Sequence, residues 1–184
     1  MTGSFCTLKS HLPIMQSLTK ENNVIPIFSF SVAKLDTRFT KALDFFNEVY
    51  EITQNKPITT IEDAEPIGPK ELLDILVVAP CTGNTLAKLN NAITDTPVLM
   101  AIKAHLRNNR PVVISVSTND ALGSNAANLG GLLFKKNIYF VPFFQDNHVN
   151  KPRSLTADLD MIIPTIESAL KGVQIQPIFK GETK

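Results

Sequence analysis

Along the chain, unbroken apolar runs trade places with segments whose apolar residues recur every three or four positions. The first pattern predicts buried strands and the second amphipathic helices. Leu8, Leu12, Met15 and Leu18 fall at helical spacing, with Pro13 marking either a first turn or a kink. "VIPIFSF" (24–30) predicts a strand, and Phe39, Ala42, Phe46, Val49 and Tyr50 predict a second helix. Residues 57–70 hold three prolines and predict a surface excursion with a short strand at its start. "DILVVAP" (74–80) is a strong buried strand, followed by a helix starting near Gly83 and another from about Thr96 to Asn109. "PVVISVS" (111–117) is the next strand, with a helix after Asn119. "NIYFVPF" (137–143) is a further strand, Leu155 to Lys171 a further helix, and "VQIQPIF" (173–179) a short strand or extended arm.

Alternating strands and helices predict an α/β fold with a mostly parallel sheet and right-handed crossovers. At 184 residues the chain suits one domain, 1–184, with a tail from about 173. One feature breaks the pattern. "TGSFCT" reads as a loop that should follow a strand, yet it opens the chain. Either the fold begins with a helix, or its first strand is missing from this chain; the second is the expectation adopted.

Doubly wound sheets hold ligands in a crevice at the carboxyl ends of their strands. The loops expected there are Thr2 to Cys6, Ser29 to Val32, Pro80 to Thr85 and Ser117 to Asp120, with Pro142 to Asp146 as a fifth. They share small hydroxyl and amide residues placed just before helices. Such residues cap helices, and free N–H groups at a helix start also hold phosphates. Thr2, Gly3 and Ser4 fit either a phosphate loop or a plain cap. Ser29 and Ser31 fit either further hydroxyl donors or ordinary strand-end serines. Pro80, Cys81, Thr82, Gly83, Asn84 and Thr85 form the most specific stretch, in which Asn84 offers a donor and an acceptor to a ring edge. Cys81 fits a small residue tolerated beside a ligand better than a nucleophile. Ser117, Thr118 and Asn119 complete the set, although capping alone also explains Asn119 and Asp120. Lys88 reads as solvated. His11 reads as a surface residue, His105 as structural and His148 as solvated. Arg38, Arg107, Arg110 and Arg153 are available to grip carboxylates. No residue declares itself catalytic.

Composition narrows the classes. With 43% hydrophobic and 19% charged residues, the chain is an ordinary globular protein. A formal net charge of +1 with no basic run argues against nucleic-acid binding. Two cysteines make no disulfide framework and fit a reduced cytosol. No apolar run approaches a membrane span, and three scattered histidines disfavour zinc.

The stretch from Ala79 to Asp120, which includes "APCTGNTLAKLNNAITDTPVLMAI", together with "TGSFCT", "AEPIGPK", "KNIYFVPFFQD" and "KPRSLTADLD", resembles the family of dipicolinate synthase B subunits over nearly the whole chain. That family lies within a group of flavoprotein cysteine decarboxylases and flavin prenyltransferases. The resemblance implies a three-layer Rossmann-like (flavodoxin-type) fold and a homo-oligomer, trimer or larger. It also implies a role in sporulation, in the mother-cell cytoplasm, with the nicotinamide-dependent A subunit of dipicolinate synthase, which carries NADP(H) or NAD(H). Together the two proteins oxidise dihydrodipicolinate, a small dicarboxylate, to dipicolinate. FMN is implied as a possible cofactor of this chain. The wider group's Gly-Ser phosphate loop matches Gly3 and Ser4, and its strand-end hydroxyl matches Ser29 or Ser31. Its Pro-x-x-x-Asn-Thr loop matches Pro80, Asn84 and Thr85. Cysteine decarboxylases carry Pro-Ala-Met-Asn at the fourth loop. Ser117-Thr118-Asn119 keeps only the asparagine, and no histidine here fills the place of their catalytic one. The alternatives are an FMN-dependent decarboxylase or prenyltransferase acting alone, and a non-catalytic accessory protein.

Overall fold

The computed structural model of the chain describes residues 1–181. Among these, five strands form one mixed sheet: β1 (Leu76–Cys81), β2 (Val112–Thr118), β3 (Ile138–Phe140), β4 (Phe143–Phe144) and β5 (Leu155–Ala157). β2 is central. It pairs in parallel with β1 on one side and with β3 on the other, and its carboxyl end pairs antiparallel with β5, which in turn pairs antiparallel with β4. The expected parallel sheet is therefore a parallel core with an antiparallel extension.

Two layers of helices cover the sheet. On one face lie α4 (Ile61–Ala64), α5 (Gly83–Asn90), α6 (Pro97–Arg107) and α7 (Ala126–Leu133), packed against Leu76, Val78, Val112, Ile114 and Val116. On the other, α1 (Leu12–Leu18) and α8 (Ile162–Leu170) meet Ile75, Val77 and Val113. Successive strand residues point to opposite faces, so an unbroken Val/Ile run is what a sheet covered on both sides needs. A satellite core joins Leu8, Leu12, Phe28, Phe45 and Val49, and holds α2 (Phe30–Lys34) and α3 (Ala42–Thr53) against the first helix.

The helix starts follow capping chemistry. Thr82 accepts from Thr85 N–H ahead of α5, and Thr96 accepts from Leu99 N–H ahead of α6, whose first residue is Pro97. Pro13 likewise sits in the first turn of α1 and does not kink it.

Four expectations need correction. Residues 24–30 make only an isolated bridge, Ile27 to Ile58, because Ser29 turns the chain into α2. The run 137–143 splits at Val141–Pro142 into β3 and the start of β4. Leu155–Ala157 is a strand rather than the start of a helix; α8 begins only at Ile162, after the turn Leu159–Met161. The helix expected right after Asn119 starts at Ala126. The tail is an extended arm. Phe179 bridges Phe143, and the Gln174 amide accepts from Phe140 N–H at 2.7 Å and donates to Phe140 C=O at 2.7 Å, as a neighbouring strand would.

Between segment 24–28 and β1 no strand is present among the described residues. Only Met1 and Thr2 span that interval.

Candidate functional site

The β1–β2 register sets the site. Cys81 lies beside Val116, so the loops that follow both strands start side by side. The chain start is fastened to them. Thr2 N–H donates to Pro80 C=O at 3.2 Å, Thr2 Oγ1 donates to the same carbonyl at 2.8 Å, and Thr82 N–H donates back to Thr2 Oγ1 at 2.9 Å. The Thr2 hydroxyl is thus engaged in joining two loops. Beyond it, Ser4 Oγ lies 2.8 Å from Ser117 Oγ, and Thr7 Oγ1 lies 2.9 Å from Ser4 Oγ and 3.2 Å from Ser117 Oγ. Each hydroxyl can both donate and accept, so this half-buried triad can turn its protons toward an anion by exchanging partners.

Gly3 and Gly83 allow the close approach. A Cβ on Gly3 would sit 3.2 Å from Ser31 Cβ, which places Ser31 against the Gly3-Ser4 loop. Gly83 is tighter. A Cβ there would lie 2.5 Å from Asp120 Oδ1, 2.6 Å from Asn125 Nδ2 and 2.7 Å from Thr118 Oγ1. Those three atoms form one network. Thr118 donates to Asp120 Oδ1 at 2.5 Å, Asn125 donates to Asp120 Oδ2 at 2.7 Å, and Asn128 donates to Asn125 at 3.0 Å. The network pins the loop 119–125 against the first turn of α5. Gly83 and Asn84 open that helix, so their N–H groups have no partner four residues back. They add to a positive dipole end.

The four loops expected to converge do so, with qualifications. Ser4, Ser31, Thr82, Gly83, Asn84, Thr85, Ser117 and Thr118 gather at one end of the sheet. Ser29 is buried and caps α2, accepting from Val32 N–H at 3.5 Å, which is its plain role. Cys81 faces the core with no exposed surface, and burial pushes its thiol up to about 12, so it is no nucleophile. Asn119 is exposed beside the crevice rather than capping a helix. Asn84 is exposed at its mouth. Lys88 is paired with Asp95 at 2.6 Å.

The histidines are elsewhere. His11, expected at the surface, is buried, with Nδ1 2.7 Å from Thr7 C=O. His105 is buried with Nε2 3.1 Å from Pro111 C=O. Burial lowers both pKa values. Arg110 is held by Glu71 and the Leu73 carbonyl, and Arg38 stacks on Phe39 at 4.8 Å. Arg153 lies at the crevice end, beside Gly123 and one residue from Ser154, which donates to Thr118 C=O at 3.3 Å. Two members went unnoticed in the sequence. Thr7 follows Ser4 at a one-turn interval, a signal that was available. Asn125 joins through tertiary folding alone and has no local signal.

The donor set is neutral hydroxyls, backbone N–H groups and a helix start. It suits a phosphate-bearing ligand such as FMN, and a phosphate's oxygens could replace the mutual bonds of the hydroxyl triad. Among the described residues, no cluster of three or more His, Cys, Asp or Glu could hold a metal ion, and no helix is long and apolar enough to cross a membrane.

Comparison with known proteins agrees with this geometry. A family model described as Flavoprotein matches residues 1–153. The B subunit of dipicolinate synthase from Bacillus subtilis (strain 168) is 48% identical over 179 residues, covering 97% of this chain and 90% of that protein. The crystal structure of the dipicolinate synthase B subunit from Bacillus halodurans C superposes with a TM-score of 0.89 at 46% identity, covering 98% of this chain and 93% of that one. The FMN-dependent cysteine decarboxylase SpaF shares the fold alone, with a TM-score of 0.64 at 21% identity over 92% of this chain and 91% of its own.

Proposed function

Because the chain belongs to the flavoprotein family, and within it stands with the dipicolinate synthase B subunits, we propose that it serves as one of them. With the nicotinamide-dependent A subunit of that synthase, it oxidises dihydrodipicolinate to dipicolinate in the mother-cell cytoplasm of a sporulating bacterium. The observation that carries this reading is the 48% identity extending over 97% of the chain.

In this reaction a hydride and a proton leave the dihydropyridine ring. Nicotinamide on the dehydrogenase partner would supply the hydride acceptor, the proton would pass to solvent, and the ring becomes an aromatic dicarboxylate. Aromaticity supplies the driving force, so the protein's task is placement and charge stabilisation. Here that falls to the Asn84 and Asn119 side chains at the mouth, and to Arg153 as the arginine placed to meet a carboxylate. FMN, where bound, supplies a ring able to accept a hydride. Ser4, Thr7 and Ser117, with the N–H groups of Gly83 and Asn84, would hold its phosphate. Self-association to a trimer or larger belongs to the same proposal, and sedimentation velocity tests it.

The test of function is reconstitution. The dehydrogenase partner, dihydrodipicolinate and nicotinamide cofactor are mixed with and without this chain, and with and without FMN, and pyridine absorbance is followed. Product that requires both proteins is expected. Product at full rate from the dehydrogenase partner alone would assign this chain an accessory role. Turnover by this chain without a partner would favour the decarboxylase or prenyltransferase reading.

A further inference from the structure

The antiparallel extension of the sheet serves the crevice on very little pairing of its own. Among the described residues, Ser117 with Thr156 and Thr118 with Leu155 join β2 to β5, and Phe143 with Ala157 and Phe144 with Thr156 join β5 to β4. Ladders this short are marginal without further support. Yet Ser117 belongs to the hydroxyl triad and Thr118 to the Asp120 network. Ser154 Oγ donates to Thr118 C=O at 3.3 Å, and Leu122 N–H donates to Arg153 C=O at 3.0 Å. The second bond ties loop 119–125 to the residues that lead into β5.

Support comes from the arm that follows α8. Phe143 N–H donates to Ile178 C=O at 3.0 Å, and Lys180 N–H donates to Phe143 C=O at 2.9 Å. The Phe179 ring meets the Phe143 ring edge-on at 5.8 Å. The arm thus lies along the outer side of β4, and its end closes over that strand: Lys180 Nζ pairs with Asp158 Oδ2, one residue beyond β5. Asp158 is fixed from its own side. Its N–H donates to Pro142 C=O at 2.8 Å, and its Oδ1 accepts from Asp160 N–H at 3.1 Å. The Asp158 side chain is 20% exposed, whereas the acidic partner in the surface pair Lys88–Asp95 is 53% exposed. A pair partly withdrawn from solvent is screened less than a surface one.

We propose that Lys180 is a positioning residue of the crevice. Its pair with Asp158 clasps the arm to β5 across β4, and so holds Ser117, Thr118 and Arg153 where a ligand meets them. Lys180 lines an open cavity of about 580 Å³, so shortening its side chain removes the charge without emptying a packed core. The bearing on ligand binding rests on the flavoprotein reading above; the bearing on the extension does not.

Amide exchange tests the clasp itself. Lys180→Ala is expected to speed exchange across Ser117–Thr118 and Leu155–Ala157 by about tenfold. Lys180→Arg, which keeps the charge, is expected to restore the wild-type rates. Lys151→Ala, which breaks the pair with Asp146 in the neighbouring loop, is expected to leave them unchanged. Wild-type rates in Lys180→Ala would overturn the proposal, and so would equal acceleration by Lys151→Ala. FMN, titrated by the quenching of its fluorescence, tests the reach to the crevice. Its dissociation constant is expected to rise about tenfold in Lys180→Ala and to stay near wild type in Lys180→Arg. An unchanged constant in Lys180→Ala would overturn the positioning role. If the wild-type chain binds no FMN, the flavin reading fails, and the exchange rates still uphold or overturn the clasp. If Lys180→Ala fails to fold, Asp158→Asn takes its place, since it keeps an oxygen for Asp160 N–H and removes the charge.

Discussion

The two flanks of β1 are finished in opposite ways. At its carboxyl end the loops satisfy one another: Thr2 with Pro80 and Thr82, Ser4 with Thr7 and Ser117, Asp120 with Thr118 and Asn125. Along its outer edge the side chains are apolar, no backbone hydrogen bond among the described residues joins it to segment 24–27, and an imidazole nitrogen and a terminal amine are buried without the solvent they need. Polar contacts between short loops can be completed by residues a few positions away. A strand edge is completed only by another strand. The crevice is therefore the robust flank of β1, and the outer edge is the vulnerable one.

The largest effect should come from the vulnerable side, through pH. Burial lowers the Met1 amine from 8.0 to about 5, with Cys81 and His11 as the titratable groups nearest it. Between those values the unfolded chain binds a proton that the folded chain does not. Stability is then complete above pH 8 and falls as the pH drops toward 5, by about 4 kcal/mol. His11 and His105, also lowered by burial, add to the loss below their ordinary range. Urea melts at pH 8 and pH 5 measure it, and equal midpoints would mean that the amine is solvated. On the crevice side Gly83→Ala drives a methyl into the Asp120–Asn125–Thr118 network. A loss of about 3 kcal/mol is expected, and a wild-type melting curve would show that loop 119–125 yields freely. Thr82→Val removes the cap of α5 and should cost about 1 kcal/mol by denaturant titration. Lys88→Ala breaks a pair with a half-exposed partner, and should change stability by less than about 0.5 kcal/mol. A larger loss in that titration would give Lys88 a role beyond its surface pair.

What was legible in the sequence follows the same division. β1, β2, α5 and α6 were readable because their signals are local: unbroken Val/Ile runs, then Thr82 or Thr96 ahead of a helix. That the candidate loops meet at one end of the sheet was readable from the order of strands and helices. Segment 24–30 misled because its apolar run is strand-like, while Ser29 and the lack of a neighbour on one side leave a single bridge. Leu155 to Met161 misled because its apolar spacing is helical, yet Thr156 lies opposite Ser117 and Phe144 in an antiparallel extension that only tertiary pairing creates. His11 looked like a surface residue because nothing nearby announces that α1 packs over an open sheet edge. Asn125 could not be found, since its partner Asp120 and its neighbour Gly83 meet it only in the folded chain.

The most direct measurement is the rate of dipicolinate formation by the dehydrogenase partner with the wild-type chain, with Asn84→Leu, and with no addition. Asn84 is exposed at the crevice mouth, so its replacement should leave the fold intact and alter only what the crevice holds. Product with the wild-type chain, at least tenfold less with Asn84→Leu and none without addition is the expected result. Equal rates in all three samples would contradict a two-protein oxidation that depends on this crevice.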